Sequence, residues 1–204
     1  MKKYLKWIVC ILSLTIFLIL GYLIKTKNDL YLDNVIYSFI SKFINTNLTH
    51  IIKIITFLGS AAFVITVTVL ALLLIKNKRI GLFMSIDLIV ITIFQYILKP
   101  TFSRLRPVGI NLIEETNYSF PSGHSLTAMA FYGFIIYLIY KSNLKYKKLL
   151  ITLLSILILL IGLSRVYLGV HFITDVLGGF TFSVFYLILF IELTKKHIKT
   201  NKND

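Results

Sequence analysis

The segment SRVYLGVHFITD, Ser164 to Asp175, ends with a histidine and an aspartate four residues apart, His171 and Asp175. On a helix that spacing sets the two side chains on one face, with Cβ atoms about 5–6 Å apart. A carboxylate so placed holds one ring nitrogen as a hydrogen-bond donor. The other nitrogen keeps a free lone pair, fit to attack or to accept a proton. The ordinary alternative is an ion pair at a surface. Two further segments supply what a reacting anion would need. In PSGH, Pro121 to His124, Pro and Ser are residues that start helices. Free amides at such a start, with the helix dipole behind them, attract an anion, and Gly123 lets backbone come close to it. In KPTFSRLRP, Lys99 to Pro107, three cations stand together. Alone, PSGH reads as a cap and the cations as residues snorkelling to lipid headgroups. Together, cations, a helix start and a nucleophilic histidine are the requirements of phosphoryl transfer.

The elements that must position these groups are membrane helices. The chain has 204 residues, is 57% hydrophobic and has a mean hydropathy of +0.86. That places it among membrane proteins. Six runs are apolar enough to span: Trp7–Ile24, Phe57–Ile75, Ile80–Leu98, His124–Tyr140, Leu149–Ser164 and Phe172–Leu193. The fourth and fifth are short, so their outer ends should continue into the adjoining loops. The first run is too long for a signal peptide and no small-residue cleavage site follows it, so it reads as an uncleaved span. The tail KKHIKTNKND reads as polar and frayed. The expected fold is all-α, a six-transmembrane-helix bundle forming one domain over residues 1–204.

The formal charge of +14 would suggest nucleic acid in a soluble chain. Here the cations lie between apolar runs, and no nucleic-acid partner is expected. With the N-terminus inside, 14 of the 22 Lys and Arg fall in cytoplasmic segments. The bias puts both termini in the cytoplasm and all three motif segments on the outer face. An ionisable pair at membrane depth is costly, which weighs toward function for His171 and Asp175. Cys10 is the only cysteine, so no intrachain disulfide exists, and it reads as a buried thiol. No Cys/His or carboxylate cluster has the makings of a metal site, so no metal and no cofactor are expected.

Lys99 with Arg106-Pro107, then Pro121-Ser122-Gly123-His124, then Ser164-Arg165 with His171 and Asp175, closely resemble the type 2 phosphatidic acid phosphatase superfamily. All three motifs are complete, in order and at the family's spacing, over residues 99–175. The resemblance implies a phosphatase acting on a lipid phosphate or pyrophosphate. It implies His171 as the nucleophile that forms a phosphohistidine, oriented by Asp175. His124 would protonate the leaving oxygen and then activate water. Lys99, Arg106 and Arg165 would hold the phosphate oxygens, completed by the amides and hydroxyl at Ser122 and Gly123. Arg104 would either touch phosphate or hold the loop near Glu114 or Glu115. Undecaprenyl pyrophosphate, phosphatidylglycerophosphate and phosphatidic acid all fit an outward-facing site. A phosphotransferase using the same histidine is the alternative within enzymes. A vanadate haloperoxidase is disfavoured because such enzymes are typically soluble, and a lipid transporter because no motif residue is missing.

Beside these motifs, LDNVIYSFISKFI, Leu32 to Ile44, sets Leu32, Val35, Ile36, Phe39, Ile40, Phe43 and Ile44 on one helical face, with Asp33 as N-cap. It reads as an amphipathic helix in the outer interface, guiding lipid tails or simply packing. Asp87, inside the third span, is expected to pair with a Lys or Arg on the cytoplasmic side. Gly178-Gly179 reads as a close helix contact.

Overall fold

The computed structural model describes residues 2–27, 30–109 and 111–198. Among them are eight α-helices and no strand. They are α1 (Lys2–Lys27), α2 (Tyr31–Ile40), α3 (Thr46–Phe57), α4 (Ala61–Leu74), α5 (Lys78–Phe102), α6 (Gly123–Lys141), α7 (Lys147–Tyr167) and α8 (Ile173–Thr194). One 3-10 turn, Ser41–Phe43, follows α2. Residues 199–204 of the tail read as frayed lie outside the described residues.

Five helices, α1 and α5 to α8, are long and apolar enough to cross a membrane. The second expected span, Phe57–Ile75, is not a continuous helix. The chain breaks after Phe57 and restarts at Ala61, and α3 and α4 meet at a bend of 45°. The break is local chemistry. Ser60 caps α4 by accepting from the Phe63 amide at 3.3 Å. Counted as one span, the bent pair makes six. The ends of α6 and α7 that carry the motif residues do extend past the apolar runs. Ser122 caps α6, and α7 carries Ser164 and Arg165 within its last turn. α5 runs through Lys99 and Pro100 to Phe102, so Lys99 belongs to the helix and not to the loop after it.

α6 is the central element. It packs against α5, α7 and α8, while α1 lies on α8, α4 on α5 and α3 on α7. An aromatic cluster joins Phe17, Phe102, Phe120 and Phe182, with Phe17 and Phe120 stacked at 5.6 Å. Outward-facing residues such as Leu73, Leu74 and Tyr96 are exposed apolar surface. In a soluble protein so much would be a liability; a hydrocarbon layer covers it.

The Gly178-Gly179 pair makes the α6–α8 contact possible. A Cβ on Gly178 would stand 2.3 Å from the Phe120 ring, and one on Gly179 would stand 2.9 Å from the Ser122 carbonyl oxygen. Gly179→Val therefore pushes against the backbone that starts α6. The expected cost is about 1–3 kcal/mol of overpacking, with loss of activity from a displaced PSGH turn. Thermal unfolding in detergent, alongside turnover, checks it.

Two expectations change here. Asp33 is not a cap: Leu30 holds that position, and Asp33 is buried in the first turn of α2. Asp87 pairs with no cation among the described residues. It is fully buried with both carboxylate oxygens unpartnered, and Tyr186 donates to its backbone carbonyl at 3.3 Å. The apolar face of α2 and its turn is only partly packed. Ile40 and Ile44 meet Tyr167, Leu168 and Val170, whereas Leu32, Val35, Phe39 and Phe43 are exposed.

Candidate active site

The C-terminal ends of α5 and α7 and the N-terminal ends of α6 and α8 meet at one end of the bundle. The connection from α7 to α8 is sharp. The amides of Val170 and His171 both donate to the Arg165 carbonyl, at 3.2 and 3.3 Å. Gly169, just before Val170, adopts φ +72°, a left-handed conformation that a side chain would strain. The turn sets His171 just ahead of α8, not on it.

The His171–Asp175 pairing therefore forms by a different geometry from the one expected. Asp175 is in the first turn of α8. Its Oδ2 accepts from the Phe172 amide at 2.9 Å and lies 3.3 Å from His171 Nδ1. Ser119 also donates to this oxygen, and its Oγ is 3.2 Å from the same ring nitrogen. Three groups fix the carboxylate before it meets the ring: the Phe172 amide, Ser119 and Arg104. The fixed carboxylate makes Nδ1 the protonated nitrogen. Nε2 then carries the lone pair, and Arg106 NH1 stands 3.2 Å from it. Burial pushes the His171 ring down to about 4, against the opposing pull of Asp175.

His171 lines a cavity of about 120 Å³ whose walls also include Lys99, Arg106, Glu115, Gly123 and His124. Lys99 Nζ donates to Asn117 Oδ1 at 3.1 Å and to the Tyr118 carbonyl. Arg106 is clamped by the Asn117 carbonyl at 2.6 Å and the Val170 carbonyl at 2.7 Å. Burial lowers the Arg106 pKa from its ordinary value, partly offset by Glu115 and Asp175. Gly123 opens the first turn of α6, and its amide end faces the cavity with His124 beside it. A second cavity, about 360 Å³, lies on the α2 side and shares Arg106 and His171 with the first.

Three sequence-predicted residues stand elsewhere than expected. The Ser122 hydroxyl points inward. It accepts from the Ser125 amide at 3.4 Å, and Ser122 is fully buried, so it caps α6 and is not among the residues lining the small cavity beside His171. Arg165 is buried behind Glu115, with NH2 2.5 Å from that carboxylate and NH1 2.9 Å from Thr56 Oγ1. Arg104 neither reaches the cavity wall nor holds Glu114 or Glu115. It is 1% exposed and pairs with Asp175 at 2.6 Å and Asp33 at 2.7 Å. The polar character of its two carboxylate partners draws it inward.

Sequence reasoning missed Ser119, Asn117, Thr174 and the inward role of Asp33. A loop contact near Glu114 or Glu115 is one of its two alternatives for Arg104, and the structure places Glu115 between Arg165 and Arg106. Burial raises the Glu115 pKa, but the two guanidiniums outweigh this and hold it below the usual carboxylate range. Only Asp33 carried a signal. It is one of just eight acidic residues in the chain and interrupts an apolar helix. Among the described residues, no group of three or more His, Cys, Asp or Glu could hold a metal ion.

A family model described as the PAP2 superfamily matches residues 80–199. Phosphatidylglycerophosphatase B from Bacillus subtilis is 34% identical over 148 residues, covering 70% of this chain and 73% of the relative. Undecaprenyl-diphosphatase from Sulfolobus acidocaldarius is 28% identical over 202 residues, covering 95% of this chain and 93% of the relative. Among solved structures, the transmembrane PAP2 type phosphatidylglycerolphosphate phosphatase from Bacillus subtilis superposes with a TM-score of 0.85 at 32% identity. That superposition covers 95% of this chain and 98% of the other.

Proposed function

Because the chain belongs to the PAP2 superfamily, we propose that it is a multi-pass membrane phosphatase that removes the terminal phosphate of a lipid phosphate or pyrophosphate through a phosphohistidine. The observation that carries this reading is the oriented ring of His171. Its Nδ1 is held by Asp175 and Ser119, Arg106 stands at its Nε2, and the residue lines a small cavity with Lys99, Arg106 and His124. Relatives named for phosphatidylglycerophosphate and for undecaprenyl diphosphate support two of the candidate substrates, with phosphatidic acid the third.

His171 Nε2 attacks the terminal phosphorus in line, and the P–O bond to the lipid breaks as the N–P bond forms. His124 gives its proton to the departing oxygen, then takes one from the water that attacks the phosphohistidine and releases phosphate. Asp175 stabilises the imidazolium-like ring between the two steps. Lys99 and Arg106 meet the phosphoryl oxygens directly, joined by the Gly123 amide at the start of α6. Arg165 joins them when Glu115 yields its place to the phosphate. Ser122 and Arg104 support the site from behind. α3 and α4 act as one bent span, giving six, with both termini cytoplasmic and the site extracytoplasmic. α2 lies in the outer interface with Leu32, Val35, Phe39 and Phe43 toward lipid.

The neutral ring of His171 is the attacking form, so activity is present above its pKa and lost as pH falls through it. Burial moves that pKa down to about 4, so kcat/KM should hold well below pH 6.5, the ordinary imidazole value. A pH–rate profile on protein shown to remain folded checks this. A decline centred at an ordinary imidazole pKa would contradict it.

Phosphate release from undecaprenyl pyrophosphate, phosphatidylglycerophosphate and phosphatidic acid, measured in detergent with EDTA, tests the whole reading. Release undiminished by EDTA is the expected result, and the ranking names the lipid. No release from any of the three by folded protein would overturn the phosphatase reading.

A further inference from the structure

The polar chain behind Asp175 reaches a helix outside the three motifs. Asp33 on α2 lies 141 residues before Thr174, yet its Oδ1 accepts from the Thr174 amide at 3.0 Å and the Thr174 hydroxyl at 2.8 Å. Its Oδ2 accepts from Arg104 NH2 at 2.7 Å. Arg104 NH1 donates to Thr174 Oγ1 at 2.8 Å and to Asp175 Oδ1 at 2.6 Å. The guanidinium carbon also stacks 4.0 Å from the centre of the Phe172 ring. All four residues of the chain are at most 2% exposed.

Burying a carboxylate and a guanidinium is unfavourable unless each is paired, and apolar residues of similar size would fill the space as stably. The arrangement has an electrostatic consequence at His171. Arg104 alone would fix Asp175 but also offset its charge, weakening its hold on the positive ring formed during turnover. Asp33 on the other edge of the guanidinium balances Arg104. Asp175 is then oriented without losing its charge. Asp33 also places a negative group at the first amides of α8, where the helix dipole favours it.

We propose that Asp33 and Arg104 are positioning residues for the reaction, a buried strut that ties α2 to the carboxylate behind the nucleophile. The proposal rests on the reading of His171 and Asp175 as catalytic. Besides Asp175 on α8, the charged and titratable groups around His171 are Lys99 on α5, Arg106 and Glu115 on the loop between α5 and α6, His124 on α6 and Arg165 on α7. None of these is altered by a change at Asp33.

The test is Asp33→Asn, nearly the same shape without the charge, assayed on the best lipid phosphate in detergent. Expected is a fall in kcat of about 10- to 100-fold, as for outer partners of metal-ligating histidines, with KM within about twofold of wild type. The acid limb of the pH profile should move to lower pH, because an unbalanced Arg104 disfavours the protonated ring. Thr174→Val, which breaks the chain at one hydroxyl, should give the same split between kcat and KM, and Thr174→Ser should restore it. A monodisperse elution profile confirms folding, and if Asp33→Asn does not fold, the Thr174 pair decides. Unchanged kcat, a rise in KM alone, or an unmoved acid limb would overturn the strut. Inactive wild type would overturn the phosphatase reading and the strut together, whereas active wild type with an unaffected variant overturns the strut alone.

Discussion

Replacing His171 with alanine is expected to abolish phosphate release, a loss on the order of 10⁴-fold or more. The other cavity groups are poorly placed to take its place: the Glu115 carboxylate is held by Arg165 and Arg106. Lys99 and Arg106 are cations engaged by the Asn117 side chain and by backbone carbonyls, and they carry no free lone pair. His124 shares the cavity but has no carboxylate partner among the described hydrogen bonds, so nothing fixes its tautomer for attack. The substitution removes a buried ring without leaving a buried charge, so the protein should stay folded. Phosphate assay of the purified variant beside wild type reads the result.

Asp175→Asn is the second large effect, expected to lower kcat about 10³- to 10⁴-fold with the fold intact. The reason is hydrogen-bond polarity. Asp175 accepts from Arg104, the Phe172 amide and Ser119, and faces His171 Nδ1. Every one of these partners points a donor at it. An asparagine must turn its NH₂ toward one edge. Toward Oδ2 it meets Nδ1 with a donor, so the ring proton moves to Nε2, the atom that must attack. Toward Oδ1 it faces Arg104, a donor against a donor in a buried site. Steady-state kinetics would show kcat falling with KM little changed. A loss confined to KM would mean that Asp175 serves binding and not the nucleophile.

The helical class and the meeting of the motifs at one end were legible because both rest on strong local signals. Apolar runs near 20 residues long have few other meanings, and Lys99, PSGH and His171 with Asp175 fall at their ends. What failed depends on tertiary position. The break between α3 and α4 turns on Ser60 as a cap, and Ser60 sits in an apolar run whose hydropathy hides it. Ser122 is the residue type that both caps a helix and binds an anion, and its spacing alone does not decide between the two. Arg104 and Arg106 are two residues apart with the same charge. Arg104 turns inward because its carboxylate partners, Asp33 and Asp175, come from distant helices, whereas Arg106 turns toward the cavity, where Glu115 of its own loop and His171 meet it. Asp33 looked like a cap because its surroundings in sequence are apolar. Its partners lie more than 70 residues away, at Arg104 and Thr174.

Rapid quenching would trap the phosphohistidine that covalent catalysis at His171 requires. A lipid phosphate labelled with ³²P at its terminal phosphorus is mixed with wild type, His124→Ala and His171→Ala, then quenched in base. A phosphohistidine survives base and is lost in acid. Expected are base-stable, acid-labile label on wild type, label retained longer on His124→Ala, and none on His171→Ala. Label on the His171→Ala protein, or lipid turnover by wild type with no labelled protein at any quench time, would contradict covalent catalysis at His171.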